Sequence, residues 1–248
     1  MKLLITGLSG TLAPRLAEAA AAAGIDVLAW DRKSVATDDA AAAQSWLDAQ
    51  RPDGIAHLAM GSPEWSAMLA SHAAERDLPF LFTSTVMVFD PDGPHAPDSP
   101  RTGSSDYGKY KIACEDAVLA ANANTQLVRI GWQIDAERPG NNMLLTLDQW
   151  QRAQGRVACS RAWRPACSFM TDTAAALLGL MQTPQPGIHH LDSNAEDAFG
   201  FDRVAAGLKK RFGRADWNIE VHEDYRHDQR LIGGTVAMPR LSERLPLE

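Results

Sequence analysis

The chain reads as an α/β protein: a Rossmann-type, doubly wound parallel sheet with a small C-terminal α+β substrate module. Three observations carry this. Short apolar runs alternate with longer helical segments five times between Lys2 and Ile130, the order that builds a parallel sheet with helices on both faces. The first run leads straight into a small-residue turn, Gly7-x-x-Gly10-x-x-Ala13, that opens the first helix. After Trp132 the alternation loosens, which marks the start of a second module.

The elements follow in order. Residues 2–6 form an apolar run that ends at a glycine turn, a buried strand. Residues 11–23 are Ala-rich and helical, with Gly24 placed to end them. Residues 26–30 are a second strand, closed by Asp31; residues 38–50 are a helix with Thr37 as candidate N-cap. Residues 54–59 and 80–88 read as the third and fourth strands, the latter introduced by Pro79, with a helix over 63–77 between them. A loop over 90–105 carries Pro91, Pro94, Pro97 and Pro100. A helix over 107–123 and a fifth strand over 126–130 complete the regular part. Beyond it, helices are expected over 142–154, 172–181 and 201–212, and strands over 187–191 and 217–221. The domain expectation is a dinucleotide-binding unit over 1–131 and a substrate module over 132–248, with residues of about 165–192 returning to the first unit.

Composition narrows the function. A chain of 248 residues supports one sizeable core, or a large domain with an appendage. It is 45% hydrophobic and 22% charged, ordinary for a soluble globular protein. A net charge of −7 leaves no basic footprint for nucleic acid. The densest basic run, Lys209-Lys210-Arg211, reads as a solvated helix face. No apolar run approaches the roughly 20 residues that cross a bilayer, and the N-terminus enters a strand with no leader. Cys114, Cys159 and Cys167 form no CxxC pair and read as reduced thiols. A cytoplasmic protein acting on a small molecule, with no nucleic-acid or membrane partner, is the expectation. His189-His190 suggests a metal, but neighbours on a strand point to opposite faces, so no metal site is expected.

The glycine turn has the make-up of a dinucleotide cradle. Gly7 permits the tight turn, Gly10 lets backbone N–H groups approach a pyrophosphate, and Ala13 allows close helix–sheet packing. The helix N-terminus then faces the anion with its dipole and unpaired donors. Asp31 ends the second strand, where a carboxylate binds the adenosine ribose and disfavours a 2′-phosphate. Arg32 and Lys33 follow at once and suit that phosphate instead, so the cofactor is NAD or NADP.

Tyr107 and Lys111 stand four residues apart on one helix face. A phenol there can give a proton to a carbonyl oxygen or take one from an alcohol. Its ordinary pKa of about 10 is high for a base, and a neighbouring ammonium lowers it. Lys111 fits that role. Tyr110 fits less well, since its i+4 partner is Cys114. The fourth strand ends in Thr83-Ser84-Thr85, where a hydroxyl points into the ligand crevice of a parallel sheet. Thr85 is chosen over Ser84 to hold the reacting oxygen near Tyr107.

With these residues in place the whole chain resembles the extended short-chain dehydrogenase/reductase superfamily, and within it the dTDP-4-dehydrorhamnose reductase-like branch. The resemblance rests on Thr6-Gly7-x-x-Gly10-x-x-Ala13, Ser84-Thr85-Val86-Met87-Val88-Phe89, Tyr107-Gly108-x-x-Lys111 with Glu115, Val128-Arg129-Ile130-Gly131-Trp132, and His190-Leu191-Asp192-Ser193-Asn194. It implies an NAD(P)-dependent oxidoreductase in which Tyr107 is the acid/base, Lys111 tunes it and holds the nicotinamide ribose, and Thr85 is the hydroxyl member. It implies cofactor contacts from Gly7, Ser9, Gly10, Thr11, Leu12, Asp31, Arg32, Leu58, Ala59 and Lys111. Substrate contacts are expected from Val86, Met87, Trp132, Asn142, Trp163 and Ser168, with Arg161 and Arg164 as anion candidates if the substrate carries phosphate. The superfamily often dimerises through the helices after strands three and four, so a homodimer is a candidate assembly.

Two departures bear on the substrate. Where the branch carries Asp-Tyr after the Ser-Thr, this chain has Val86-Met87. Where it carries Asn-Ala-Ala after the third strand, this chain has His57-Leu58-Ala59. Both make the site more apolar, and Val86-Met87 lacks the acid pair that the related dehydratases use. Hydride transfer to a carbonyl, of a sugar or sugar nucleotide among others, is the leading function. An NAD-dependent sugar-nucleotide epimerase and a non-catalytic cofactor-binding regulator are the alternatives. The polar run 224–230 reads as a surface ion-pair patch, with closure over the ligand as the other reading.

Overall fold

The computed structural model describes residues 1–90 and 93–246; Pro91, in the expected proline loop, lies outside them. The first half is β1 (Lys2–Thr6), α1 (Ala13–Ala22), β2 (Asp26–Ala29), α2 (Ala40–Gln50), β3 (Gly54–His57), α3 (Pro63–Glu75), β4 (Phe80–Thr85), α4 (Asp106–Ala121) and β5 (Gln126–Ile130). The second is β6 (Trp132–Ile134), α5 (Met143–Gln154), β7 (Val157–Ser160), β8 (Trp163–Arg164), β9 (Cys167–Phe169), α6 (Met170–Gln182), β10 (Gly187–Leu191), α7 (Phe201–Arg211), β11 (Ile219–His222), β12 (His227–Asp228) and α8 (Leu241–Arg244).

Six strands form one parallel sheet in the order β10-β5-β4-β3-β1-β2. The period-2 alternation of the strands explains the two cores. Leu4, Ile55, Phe80, Phe82 and Leu127 face α2, α3 and α4, against Leu47, Trp65, Leu69 and Val118. Leu3, Ile5, Ala56, Leu81 and Val128 face α1 and α6, against Leu16, Ala20, Leu177 and Met181. Such strands are buried on both faces, which is why they read as continuous apolar runs. The chain leaves β1 for β2 on one side and then crosses to β3 on the other. That reversal opens a crevice at the carboxyl ends of the strands.

The later segments build a separate core from α5, α7, β7 and β9, with Leu144, Leu147, Phe201, Leu208 and Trp217. Three short parallel pairs, β6 with β9, β7 with β11 and β8 with β12, tie it together. The segment from α6 to β10 lies with the large sheet: α6 packs on α1, and β10 pairs with β5.

Some element ends differ from the sequence reading, for local reasons. The N-cap of α2 is Asp39, whose carboxylate accepts the Ala42 N–H; Thr37 lies outside the helix. The fourth strand stops at Thr85, because its hydroxyl accepts the Met87 N–H and turns residues 86–88 into a 3-10 turn. Strand β11 starts at Ile219, since Trp217 is drawn into the second core, where its indole donates to Asp148 at 2.9 Å.

Candidate active site

The cradle is formed by backbone. Gly7 has φ +85°, and a Cβ on it would sit 3.0 Å from the backbone of Ala59, so only glycine meets both demands. Gly10 N–H donates to the Gly7 carbonyl at 2.8 Å and closes the turn. The helix α1 has Leu12 at its N-cap with no side-chain cap, and Pro14 in its first turn. Its first-turn donors thus open on the crevice, as an anion site requires.

The edge of β3 supports the cradle from below. Thr6 Oγ1 accepts the Leu58 and Ala59 N–H groups, both at 3.1 Å. Its own proton therefore goes to His57 Nδ1 at 2.7 Å. That assigns the His57 proton to Nε2, which donates to Ser66 Oγ at 3.0 Å; Ser66 donates on to the Ser62 carbonyl. Burial holds His57 neutral, its pKa pushed down to about 3. The histidine that departs from the branch is thus a structural tie between β3 and α3.

A groove of about 530 Å³ runs over Ser9, Gly10, Trp30, Asp31, Arg32, Leu58 and Ala59. Asp31 is exposed and accepts Lys33 N–H at 2.9 Å and Ser34 Oγ at 2.7 Å, the Ser34 bond first among the causes that lower its pKa. Arg32 lies 5.1 Å over the Trp65 ring and donates to the Met60 carbonyl.

A second cavity, of about 540 Å³, shares Gly7, Gly10, Leu58 and Met60 with that groove. Thr11, Leu12, Thr85, Val86, Met87, Tyr107, Lys111, Trp132 and Trp163 all line it. Ser105 caps α4 by accepting the Gly108 N–H at 3.0 Å, which sets Tyr107 in the first turn at the crevice. The Lys111 ammonium is buried and donates to the Thr83 carbonyl at 3.0 Å, 4.8 Å from the Phe82 ring centroid. Burial lowers its pKa. The Tyr107 phenol is raised, chiefly by burial, while a hydrogen bond with the Thr85 side chain pulls the other way. In the unliganded chain burial outweighs what lowers the phenol, and the Lys111 ammonium donates to the Thr83 carbonyl beside it. Tyr110 is excluded as the proton donor, because its hydroxyl donates to the Gly61 carbonyl at 2.7 Å and accepts the Gly61 N–H at 3.0 Å.

Behind the hydroxyls lies a buried ionic network. Glu115, fully buried, binds Arg129 through two bonds of 3.0 and 2.8 Å and accepts the Ser84 hydroxyl. Arg129 continues to the Pro97 carbonyl at 3.0 Å and packs on Phe89. Ser84 is thereby occupied, which leaves Thr85 for the crevice.

Two expected substrate residues fall elsewhere. Asn142 is fully buried as the N-cap of α5, donating to the Arg138 carbonyl and accepting the Leu145 N–H; its neighbour Asn141 lines the cavity instead. Ser168 is fully buried, its hydroxyl accepting the Ser193 N–H at 3.0 Å. Arg161 and Arg164 pair with Glu223 and Asp228 outside the cavity lining. His189 contacts the Gln185 carbonyl and Thr235, and His190 the Ile232 carbonyl and Arg129. The run 224–230 reaches the cavity at one residue. Asp228 pairs with Arg230, and Gln229 reaches the cavity and accepts the Trp163 indole N–H at 2.8 Å. Met60, Ile130 and Gln133 also line the cavity. Ile130 lies in the 128–132 stretch that carries the resemblance, whereas Met60 and Gln133 carry no motif and are marked only by adjacency to recognised residues.

Comparison with known proteins agrees with this geometry. A family model described as the RmlD substrate binding domain matches residues 63–207, and one for the NAD dependent epimerase/dehydratase family matches residues 3–78. A dTDP-4-dehydrorhamnose reductase of Mycolicibacterium smegmatis is 30% identical over 227 residues, 83% of this chain and 68% of that protein. One of Mycobacterium tuberculosis is 26% identical over 232 residues, 82% of this chain and 74% of that protein. Among solved structures, the dTDP-4-dehydrorhamnose reductase from Bacillus anthracis in complex with NADP has a TM-score of 0.83 at 17% identity, covering 98% of this chain and 96% of that one. A Bordetella bronchiseptica enzyme in complex with NAD+ has a TM-score of 0.78 at 17% identity, covering 98% and 94%. The chain belongs to the extended short-chain dehydrogenase/reductase superfamily of NAD(P)-dependent oxidoreductases, in its dTDP-4-dehydrorhamnose reductase-like branch.

Proposed function

We propose that this protein reduces a carbonyl group on a small molecule, with Tyr107 delivering the proton to the carbonyl oxygen. The observation that carries the reading is convergence: Tyr107, Thr85 and Lys111 line one cavity that is continuous with the glycine cradle. The cradle fits a nicotinamide dinucleotide. A Cβ at Gly7 would meet the Ala59 backbone, and the uncapped N-terminus of α1 suits a pyrophosphate. Gly7, Ser9, Gly10, Thr11 and Leu12 would hold the phosphates, Asp31 and Arg32 the adenosine end, and Leu58, Ala59 and Lys111 the rest. When bound, that group supplies hydride to the carbonyl carbon.

The chain's own residues account for the proton. A phenol raised by burial stays protonated through the neutral range, which suits an acid in the reducing direction. The Thr85 hydroxyl reaches Tyr107, so both can bind one substrate oxygen. Lys111, at the cavity floor, stabilises the phenolate left after proton transfer. The curated relatives are named for reduction of dTDP-4-dehydrorhamnose, a carbonyl of the kind this machinery serves.

The test is Tyr107→Phe with NADH and NADPH on a panel of carbonyl substrates. Turnover should collapse while cofactor titration is unchanged; undiminished turnover would remove Tyr107 from the mechanism. Stoichiometric consumption of reduced cofactor separates reduction from epimerisation.

A further inference from the structure

Beyond the cradle the cavity wall is apolar and aromatic: Val86, Met87, Ile130, Trp132 and Trp163. Trp132 and Trp163 lie with ring centroids 6.2 Å apart and planes at 25°, and Phe201 backs Trp163 at 4.5 Å. The mouth has the same character. Met60, Met87 and Tyr107 are large hydrophobic side chains left 58%, 37% and 41% exposed, all at this one cavity. Exposed apolar surface gathered at a cavity marks what the cavity binds.

The polar groups opposite this wall are neutral amides. Gln133 is the informative one. Its Nε2 donates to the Gly131 carbonyl at 3.1 Å, which fixes which end of the amide is oxygen. Its Oε1 is then left buried with no partner. An unpaired acceptor on a residue that lines the cavity favours a ligand O–H or N–H over a phosphate oxygen. Gln229 is already committed, its Oε1 to Trp163.

Charge argues the same way. Among the described residues that line the cavity, Lys111 is the charged one, and its ammonium is held by Thr83. Arg161 and Arg164, 58% and 50% exposed, stand beside Glu223 and Asp228 outside the cavity lining. A diphosphate set against this wall would exchange its hydration for indole, thioether and an acceptor oxygen, a heavy cost without a counter-ion. Space is short as well. A cavity of 540 Å³ is within the roughly 300–1,000 Å³ filled by one drug-sized ligand, and it must also take the nicotinamide end.

We infer that the site takes an uncharged ring-bearing ketone whose ring packs on Trp163 and Trp132 and whose hydroxyl or amine donates to Gln133. Among the described residues, its lining offers a diphosphate no uncommitted counter-charge. This rests on the carbonyl-reductase reading above. The test has two arms, run on protein loaded with NAD+ or NADP+ for binding and with NADH or NADPH for turnover. Tryptophan fluorescence would be titrated with a hydroxymethyl-substituted acetophenone, a hydroxycyclohexanone, and dTDP. The neutral ketones are expected to bind at least about tenfold more tightly than dTDP, a difference of about 1.4 kcal/mol. Trp163→Ala should weaken them about three- to tenfold. Gln133→Leu, which keeps the wall intact, should erase the preference for the hydroxylated ketone over its unsubstituted parent. Tighter binding of dTDP, or failure of both ketones to bind, overturns the inference. The arms separate the two readings. Selective ketone binding without cofactor consumption supports the pocket chemistry and removes the reductase. Tyr107-dependent reduction of dTDP-4-dehydrorhamnose keeps the reductase and overturns the substrate class.

Discussion

The cofactor end of the cavity is shaped by backbone within the first 59 residues, whereas the substrate end is shaped by side chains from five distant stretches. At the first, Gly7, Gly10 and the start of α1 sit on consecutive turns of one β-strand-to-helix unit, and Thr6 pins β3 beside it. At the second, Met87, Trp132, Asn141, Trp163 and Gln229 meet only because the second core brings their segments together. The comparison teaches that cofactor recognition tolerates little change at a few backbone positions, while substrate choice is open to side-chain exchange. Tyr107 stands where the two ends meet.

Breaking that junction should give the largest effect. Tyr107→Phe is expected to lower kcat by about 10²–10⁴-fold, the worth of a positioned general acid, with cofactor affinity unchanged by fluorescence titration. The wild-type rate should also show the acid's signature. Because burial raises the phenol, reductive turnover should hold through neutral pH and fall only on the alkaline side, as the donor proton is lost. A decline centred near neutrality would assign the proton to another group.

The frame shared by both ends is the next target. Glu115→Leu leaves Arg129 buried without its partner, and unfolding by denaturant should report a loss of about 3–5 kcal/mol. Gly7→Ala tests the cofactor end alone. It forces a side chain into φ +85° and against Ala59, a strain of roughly 1–2 kcal/mol, so cofactor affinity should drop about tenfold while ketone binding is spared. His57 sharpens the picture through pH. Its folded pKa, about 3, lies below the ordinary histidine value of 6.5. Its contribution is therefore present above that value and is lost as pH falls through the acid range. His57→Asn should flatten the acid limb of a stability–pH curve. The smallest effect belongs to Asn142→Ala, a lost helix cap of about 1 kcal/mol with no change in substrate KM.

The legibility of the site follows the same division. Gly7, Gly10, Asp31, Tyr107 and Lys111 were readable because each acts within a short local unit, a turn or one helix face. Thr85 was readable from its place at a strand end. Asn142 was misplaced because one residue at a helix cap exchanges a cavity wall, Asn141, for a core bond, and Ser168 because its strand is buried throughout, between Cys167 and Phe169. Helix spacing places Lys111 near Tyr107 but says nothing of the burial that raises the phenol or of the Thr83 carbonyl that accepts from the ammonium.

The sequence by itself determined the alternating sheet, the glycine turn and the Tyr107–Lys111 spacing, since periodicity, glycine sterics and i,i+4 spacing are local facts. Only the tertiary structure decided which hydroxyl is free, that Glu115 withdraws Ser84 and leaves Thr85. It alone decided that Gln133, Asn141 and Gln229 face an aromatic wall. Those outcomes depend on burial and on contacts between segments far apart in the chain, and neither quantity is set before the segments pack.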